Sequence, residues 1–174
     1  MIYIITGIMA SGKSTIAQML AESFDNSVHL RGDIFRKMIV NGRIEMSENA
    51  GEEAFRQLRM RYKLAVNAAI EYHKCGFTVF LQDNYLGRML NELLLLLENY
   101  PTQVIALCPS YEAVQKRETA RNKVGYKLNT FAVRNLYDMF MSETPRVGWW
   151  IDTTELSVED TVSDIVKRIQ STLT

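Results

Sequence analysis

The first pattern in the chain that could do chemistry is the nine-residue stretch GIMASGKST, which begins at Gly7 and matches the spacing GxxxxGK(S/T). Two glycines let backbone amides turn inward around phosphate groups, and a helix that begins directly afterwards adds partial positive charge. The lysine would reach the β and γ phosphates, while the following hydroxyl would join the coordination of Mg²⁺. The stretch therefore predicts a site for a nucleoside triphosphate and Mg²⁺, formed by Gly7, Ala10, Ser11, Gly12, Lys13, Ser14 and Thr15.

Two aspartates follow apolar runs further along the chain, Asp33 after the second run and Asp83 after the third. In open parallel sheets, ligands bind at the carboxyl ends of strands, so both acids are candidates for the site. Asp83 is predicted to hold Mg²⁺ together with Ser14. Each aspartate also has a structural alternative, because Asp33 could cap the second helix and Asp83 the helix after Leu86.

Asp33 is the candidate that would face the hydroxyl of an acceptor molecule. A carboxylate of ordinary pKa cannot deprotonate a free hydroxyl, since the mismatch of about ten units costs about 14 kcal/mol. Phosphoryl transfer does not require this, because the attacking oxygen loses its proton late in a loose transition state. Asp33 is therefore predicted to orient the hydroxyl and to accept a proton that is already becoming acidic.

Arginines provide the remaining candidates for contact with phosphate or acceptor. Arg36 shares a helical turn with Asp33 and is predicted to touch the acceptor. The other basic residues between Arg31 and Lys63 could line a pocket for an anionic or polar substrate, but such charges more often solvate helix faces. Arg117 and Arg121 are four residues apart and lead into a glycine-containing loop, which is typical of a lid over the transferring phosphoryl group. The alternative for these two arginines is a surface helix that binds no ligand.

Short apolar runs that could be strands alternate with longer helical patterns, so the elements repeat as strand, helix, strand. The runs are continuously apolar, as in parallel sheets that are covered by helices on both faces. The clearest helical stripe joins Phe55, Leu58, Tyr62, Ala65, Ala69 and Tyr72, and it ends near Gly76. The predicted strands are Ile2–Thr6, Val28–Leu30, Phe77–Leu81, Val104–Cys108 and Trp149–Asp152.

Length and composition limit the class of protein. A chain of 174 residues with 47% hydrophobic residues is predicted to form one domain, 1–174. Twenty basic and twenty acidic residues cancel, which argues against duplex nucleic acid as a general partner. Two cysteines indicate a reducing cytoplasm, and every apolar run is far shorter than the ~20 residues that cross a bilayer. A monomer or a homodimer is expected.

With these motifs in place, the chain resembles the small P-loop kinases, most of all the chloramphenicol phosphotransferase-like branch. The resemblance runs nearly from end to end, through GIMASGKST, RGDIFRKMIVNGR, FLQD, KRETARNKVGY and ETPRVGWWIDTT. It implies that the aspartate after the second strand acts on the acceptor hydroxyl, which is Asp33 here. It also implies that the lid arginines are Arg117 and Arg121.

The expected fold is a single-domain α/β three-layer sandwich, with a five-stranded parallel sheet in the order 2-3-1-4-5. The expected activity is ATP- and Mg²⁺-dependent transfer of the γ-phosphate to a hydroxyl of a small molecule, such as an antibiotic or a metabolite. The acceptor region is placed at about 33–62 and the lid at about 117–128. A nucleoside or nucleoside-monophosphate kinase, and an ATP-binding switch without catalysis, are the alternatives. The predicted catalytic residues are Lys13, Asp33, Arg117 and Arg121.

Overall fold

The computed structural model of the protein describes residues 1–47, 49–120 and 130–172. Strands and helices alternate through most of the chain, as the apolar pattern predicts. The elements in order are β1 (Ile2–Thr6), α1 (Lys13–Glu22), β2 (Ser27–Arg31), α2 (Asp33–Lys37), α3 (Glu52–Lys74), β3 (Thr78–Gln82), α4 (Arg88–Leu96), β4 (Thr102–Leu107), α5 (Tyr111–Thr119), α6 (Thr130–Glu143), β5 (Trp149–Ile151) and α7 (Val158–Thr172).

The strands form one parallel sheet in the order β2-β3-β1-β4-β5, which confirms the predicted topology. β1 lies at the centre, where Ile4 pairs with Leu81 of β3 on one side and with Val104 of β4 on the other. Every residue of β1 is buried, whereas β2 is half-buried because it lies at an edge of the sheet. The central strand β1 is thus the one that leads into the predicted phosphate loop.

β1 has the predicted bounds, and the ends of the other strands lie within two residues of the predicted ends. Phe77 lies outside β3 because its amide donates to Tyr72 O and closes the end of α3, whereas the Thr78 amide donates to Asn26 O beside β2. Cys108 follows β4, although its amide still donates to Ile151 O. Strand ends are thus decided by pairing with neighbours, which apolar character alone does not report.

Helices cover both faces of the sheet, so the expected three layers are present. Alternate residues of β1 point to opposite faces: Ile2 and Ile4 join a core beneath α3 and α4, while Tyr3 and Ile5 join a core beneath α1 and α7. A third apolar cluster includes Ile8, which follows β1, together with Ala106 of β4 and Phe140 of α6. These cores fix the carboxyl ends of the strands relative to one another.

The long helix α3 buries most of the predicted stripe and ends at Lys74, two residues before Gly76, whose φ of +88° suits glycine. Leu58, Tyr62, Ala65 and Ala69 are buried, but the prediction was wrong for Tyr72, which is 43% exposed. Tyr72 instead packs edge-on against Phe77, with ring centroids 5.9 Å apart. Of the helices that the structure describes, none combines the length and apolar character that a membrane span requires.

Candidate nucleotide and acceptor site

The loop between β1 and α1 has the backbone shape of a phosphate cradle. Gly7, Ala10 and Gly12 have φ values of +148°, +56° and +93°, so the chain turns through conformations that side chains disfavour. A Cβ on Gly7 would lie 2.7 Å from Leu107 O, which excludes any larger residue there without movement of the backbone. The Ser11 hydroxyl is buried without a hydrogen-bond partner, so a phosphate oxygen would satisfy it.

Lys13 and Ser14 begin helix α1 directly after this turn. Lys13 is buried, and its Nζ donates to Ile8 O at 2.6 Å, so the ammonium is held against the loop itself. The exposed Ser14 donates through Oγ to Gln82 Oε1 at 3.3 Å. The structure therefore links the predicted metal ligand Ser14 to the last residue of β3.

Asp83 follows β3 and is 8% exposed. Its Oδ1 accepts from the Asn84 amide at 2.8 Å, and its Oδ2 is buried without a hydrogen-bond partner. Burial raises the pKa of this carboxyl, while the neighbouring Asn84 amide and the positive charges of Arg61 and Lys13 act in the opposite direction. An unsatisfied carboxylate oxygen of this kind is suited to a divalent cation. The capping alternative is wrong, since α4 begins after Gly87 and no side chain caps it.

Gly32 allows helix α2 to lie against Asp83. Its amide donates to Gln82 O at 2.9 Å, and a Cβ added at this position would lie 2.6 Å from Asp83 Oδ2. The exit of β2 can approach the exit of β3 this closely only because residue 32 has no side chain. Asp33, the next residue, is thereby brought beside Asp83.

The Asp33 carboxylate lies in the first turn of α2, where it binds two basic side chains of its own helix. Arg36 Nε donates to Oδ1 at 2.7 Å, and Lys37 Nζ lies 3.2 Å from Oδ2. Partial burial acts to raise the pKa of Asp33, but these hydrogen bonds outweigh it and hold the pKa below its usual value. The N-cap alternative is wrong, because Gly32 occupies the cap position and Asp33 makes no capping bond.

Arg36 also binds Glu45, at 2.5 Å from its Nη1, and its side chain is 13% exposed. The structure thus brings Arg36 and Asp33 together as predicted. The guanidinium is shared between two carboxylates, so its first role is to hold Asp33 in place.

Arg117 lies on the opposite side of the sheet, at the end of α5. Its Nη2 donates to Thr153 O at 2.6 Å, which ties α5 to the connection between β5 and α7. Arg121 lies outside the described residues, as does most of the predicted lid. The proposed closure over the phosphate by Arg117 and Arg121 therefore stays a prediction.

Arg61 is a site residue that the sequence interpretation missed. It projects from α3 with 9% exposure, and its Nη2 lies 3.9 Å from Asp83 Oδ2, while its Nε has no hydrogen-bond partner. Its position was a usable signal, since it lies three residues after Leu58 and four before Ala65, on the buried stripe. An arginine on such a stripe needs a buried partner.

The segment after Asp83 is fastened to both neighbouring elements, which sequence reasoning also missed. Thr6 Oγ1 donates to Tyr85 O at 2.8 Å and accepts from the Tyr85 amide at 3.1 Å. Tyr62 donates through its hydroxyl to Asn84 O at 2.9 Å and packs edge-on against Tyr85. The end of β1 and the turn after β3 are therefore held as one unit.

Few side chains at the site could coordinate a metal ion. Over the described ranges 1–47, 49–120 and 130–172, no three or more His, Cys, Asp and Glu side chains gather as a metal site. The Ser14 hydroxyl and the Asp83 carboxylate suit a Mg²⁺ ion that keeps waters and phosphate oxygens as its other ligands.

Comparison with known proteins places this geometry in context. The family model described as Zeta toxin matches residues 1–71, which contain the phosphate loop, Asp33 and Arg61. No curated protein matches the chain in sequence.

Solved structures resemble the chain over almost its whole length. The tunicamycin resistance protein of Deinococcus radiodurans superposes with a TM-score of 0.72 at 15% identity, covering 97% of this chain and 94% of that one. Shikimate kinase from Aquifex aeolicus gives 0.65 at 18% identity, with 99% and 98% covered. Thymidylate kinase from Candida albicans gives 0.69 at 14% identity, with 98% and 91% covered. The chain therefore has the fold of the P-loop kinases.

Proposed function

We propose that the protein is an ATP- and Mg²⁺-dependent phosphotransferase that moves the γ-phosphate to a hydroxyl of a small molecule. The observation that carries this proposal is that three features lie together at the carboxyl ends of the strands. The phosphate loop follows β1, the buried Asp83 follows the adjacent β3, and Asp33 follows β2 beyond it. A nucleotide-binding protein without transfer would need the first feature but not a carboxylate for an acceptor.

On the nucleotide side, the loop amides and Lys13 would bind the phosphates, and Ser14 with Asp83 would hold Mg²⁺. The ion, when bound, supplies charge neutralisation for the β and γ phosphates. Lys13 already lies against the loop that it would serve, through its bond to Ile8 O. Gln82 fixes the Ser14 hydroxyl, and Arg61 offsets the negative charge of Asp83.

On the acceptor side, Asp33 is ionised at neutral pH because its pKa is held below its usual value. Arg36 and Lys37 each use one of its oxygens, and each oxygen retains a second acceptor direction for a hydroxyl. The acceptor oxygen would form a bond to the γ-phosphorus while the bond from that phosphorus to the β–γ bridging oxygen breaks. The hydroxyl proton would pass to Asp33 late in this step, and ADP would leave.

The proposal is tested by incubating the protein with ATP and Mg²⁺ against a panel of antibiotics, sugars, nucleosides and metabolites. Mass spectrometry should find a phosphorylated product that is absent with Asp33→Asn. Calorimetry with ATP and Mg²⁺ on the same preparations separates loss of nucleotide binding from loss of transfer. Nucleotide binding without any product that depends on Asp33 would instead support a non-catalytic switch.

A nucleoside or nucleoside-monophosphate kinase is one of the two alternatives, with Arg36 as a clamp for an acceptor phosphate. The ion pairs of Arg36 with Asp33 and Glu45 do not favour that role. Competition by nucleosides or nucleotides at the acceptor site, measured in the same panel, distinguishes this activity from the one proposed.

A further inference from the structure

Exposed apolar side chains gather on the segment that follows Asp33. Of the twelve large hydrophobic residues that are exposed among the described residues, five fall within positions 34–46. We call these five the apolar rim, and their exposed fractions run from 41% to 89%: Ile34, Met38, Val40, Ile44 and Met46. Helix α2 has no fully buried residue: Phe35 packs against the core beneath α3, whereas the five rim side chains are exposed.

The rim is carried by a segment that is fixed in place. The side chain of Gln57, only 8% exposed, accepts from the Ile44 amide at 3.0 Å and donates to Gly42 O at 2.9 Å. Glu45 binds both Arg36 and Arg43, the latter at 2.9 Å. The polar groups of the segment are thus joined to one another and to α3, which leaves the apolar side chains for an external contact.

Two series of side-chain contacts connect the rim to the candidate site. Asp33 binds Arg36, and Arg36 binds Glu45, which lies between two rim residues in the sequence. On α3, Gln57 holds the rim segment, and Arg61, one helical turn further on, reaches Asp83. The rim therefore begins one residue after Asp33, and its segment is held on α3 one turn before the arginine that reaches Asp83.

We propose that the rim binds the apolar body of the phosphate acceptor, so that the acceptor class is amphiphilic alcohols. This inference rests on the proposed function and names the substrate class of the same site. Burial of apolar surface stabilises such a complex by about 0.8 kcal/mol per methylene, or about fourfold in affinity. The flexible side chains of Met38 and Met46 can adapt to ligands of different shape.

A second copy of the chain is the competing occupant of the rim. A stable protein interface takes about 20–30 residues from each side, whereas the rim supplies five side chains from one short segment. The rim is also interleaved with the charged residues Arg36, Lys37 and Arg43, which favours a small ligand with a polar end.

The test uses linear 1-alkanols of increasing length, from ethanol to octanol, as minimal hydroxyl probes with an apolar body. Their affinity is measured by calorimetry on the full chain with Mg²⁺ and a non-hydrolysable ATP analogue. Affinity should rise up to about fourfold with each methylene until the rim is covered. The double variant Met38→Ser, Val40→Ser should flatten this dependence. Leu95→Ser is the matched control, because Leu95 is 67% exposed on α4 outside the rim.

Several outcomes would overturn the inference. Affinity that does not change with chain length, in protein that binds the ATP analogue, would show that the rim does not contact the acceptor. A slope that the Met38, Val40 double variant leaves intact would place the apolar contact elsewhere. A dimer by light scattering that becomes a monomer in that variant would assign the rim to self-association. Failure to bind the ATP analogue would instead count against the proposed function, and the slope measured without nucleotide still tests the rim.

Discussion

The Arg61 guanidinium lies 3.9 Å from Asp83 Oδ2, and both residues are less than one-tenth exposed. The contact is longer than a hydrogen bond, so attraction between the charges carries it. Asp83 is the predicted metal ligand and Arg61 is its nearest described cation. Arg61 lies on α3 and Asp83 directly follows β3, so their contact also ties the site to the long helix.

Replacing Arg61 with Met should destabilise the protein most at neutral pH. Burial raises the folded-state pKa of Asp83 above its unfolded value, so folding is penalised as pH rises through that folded pKa. Arg61 offsets this penalty only when Asp83 is ionised. We expect a loss of several kcal/mol at about pH 7 and a smaller loss at about pH 4, measured by urea unfolding.

The matched control for this experiment is Arg59→Met. Arg59 lies on the exposed side of α3, the helix that carries Arg61, and pairs with Glu92 of α4. That variant should change the free energy of unfolding by about 1 kcal/mol or less. A pH-independent loss in Arg61→Met would show that Arg61 acts through packing and not through the charge of Asp83.

Asp33→Asn and Lys13→Ala should have unequal effects on nucleotide binding. Asp33 binds Arg36 and Lys37 of its own helix and follows β2, which β3 separates from β1 and its loop, so Asp33→Asn should keep ATP affinity within about tenfold of wild type. Transfer should fall by about two or more orders of magnitude. Lys13→Ala should remove productive ATP binding, and calorimetry with single-turnover assays measures both. Equal loss of nucleotide in the two variants would contradict the acceptor role of Asp33.

Gly32→Ala should displace the Asp83 carboxylate, because the new Cβ would lie 2.6 Å from Oδ2 and 3.1 Å from Asp83 Cβ. We expect a weaker response to Mg²⁺, measured as a higher Mg²⁺ concentration at half-maximal ATP turnover. Gly51→Ala is the control, since a Cβ there meets no atom within 4 Å. If both variants respond to Mg²⁺ as wild type does, the close approach of α2 to Asp83 has no functional role.

Thr6→Val should separate the turn after β3 from the end of β1. The hydroxyl of Thr6 serves both the amide and the carbonyl of Tyr85, and valine would leave two buried backbone groups unsatisfied. The expected loss is about 2–6 kcal/mol in free energy of unfolding, at about 1–3 kcal/mol for each group. Thr6→Ser keeps the hydroxyl and should retain most of the stability. A valine variant as stable as the serine variant would show that neither bond contributes.

The sheet order and the phosphate loop could be predicted because both leave local signals. Continuous apolar runs, short connections and right-handed crossovers restrict the topology, and the glycine spacing specifies the loop. The partners of Asp83 could not be predicted in the same way. Arg61 precedes it by 22 positions in the sequence, and their contact depends on how α3 crosses β3.

The assignment of Asp33 shows where local rules were insufficient. An aspartate before an amphipathic helical pattern satisfies the rule for an N-cap, but Gly32 takes the cap position and Asp33 begins the first turn. The reason is steric, because residue 32 packs on Asp83 and must lack a side chain. Tyr72 was also misassigned. The helical periodicity continues to Tyr72, but the buried part of α3 ends before it, and Tyr72 is 43% exposed.

The strand order has a consequence for how two ligands could occupy the protein together. β2, which leads to Asp33, is at one margin of the sheet, and β5, whose exit contacts Arg117, is at the other. A molecule at either margin leaves the opposite margin uncovered, because β3, β1 and β4 lie between them. For the phosphotransferase proposed above, this layout would suit a ternary complex in which either reactant binds first without blocking the other.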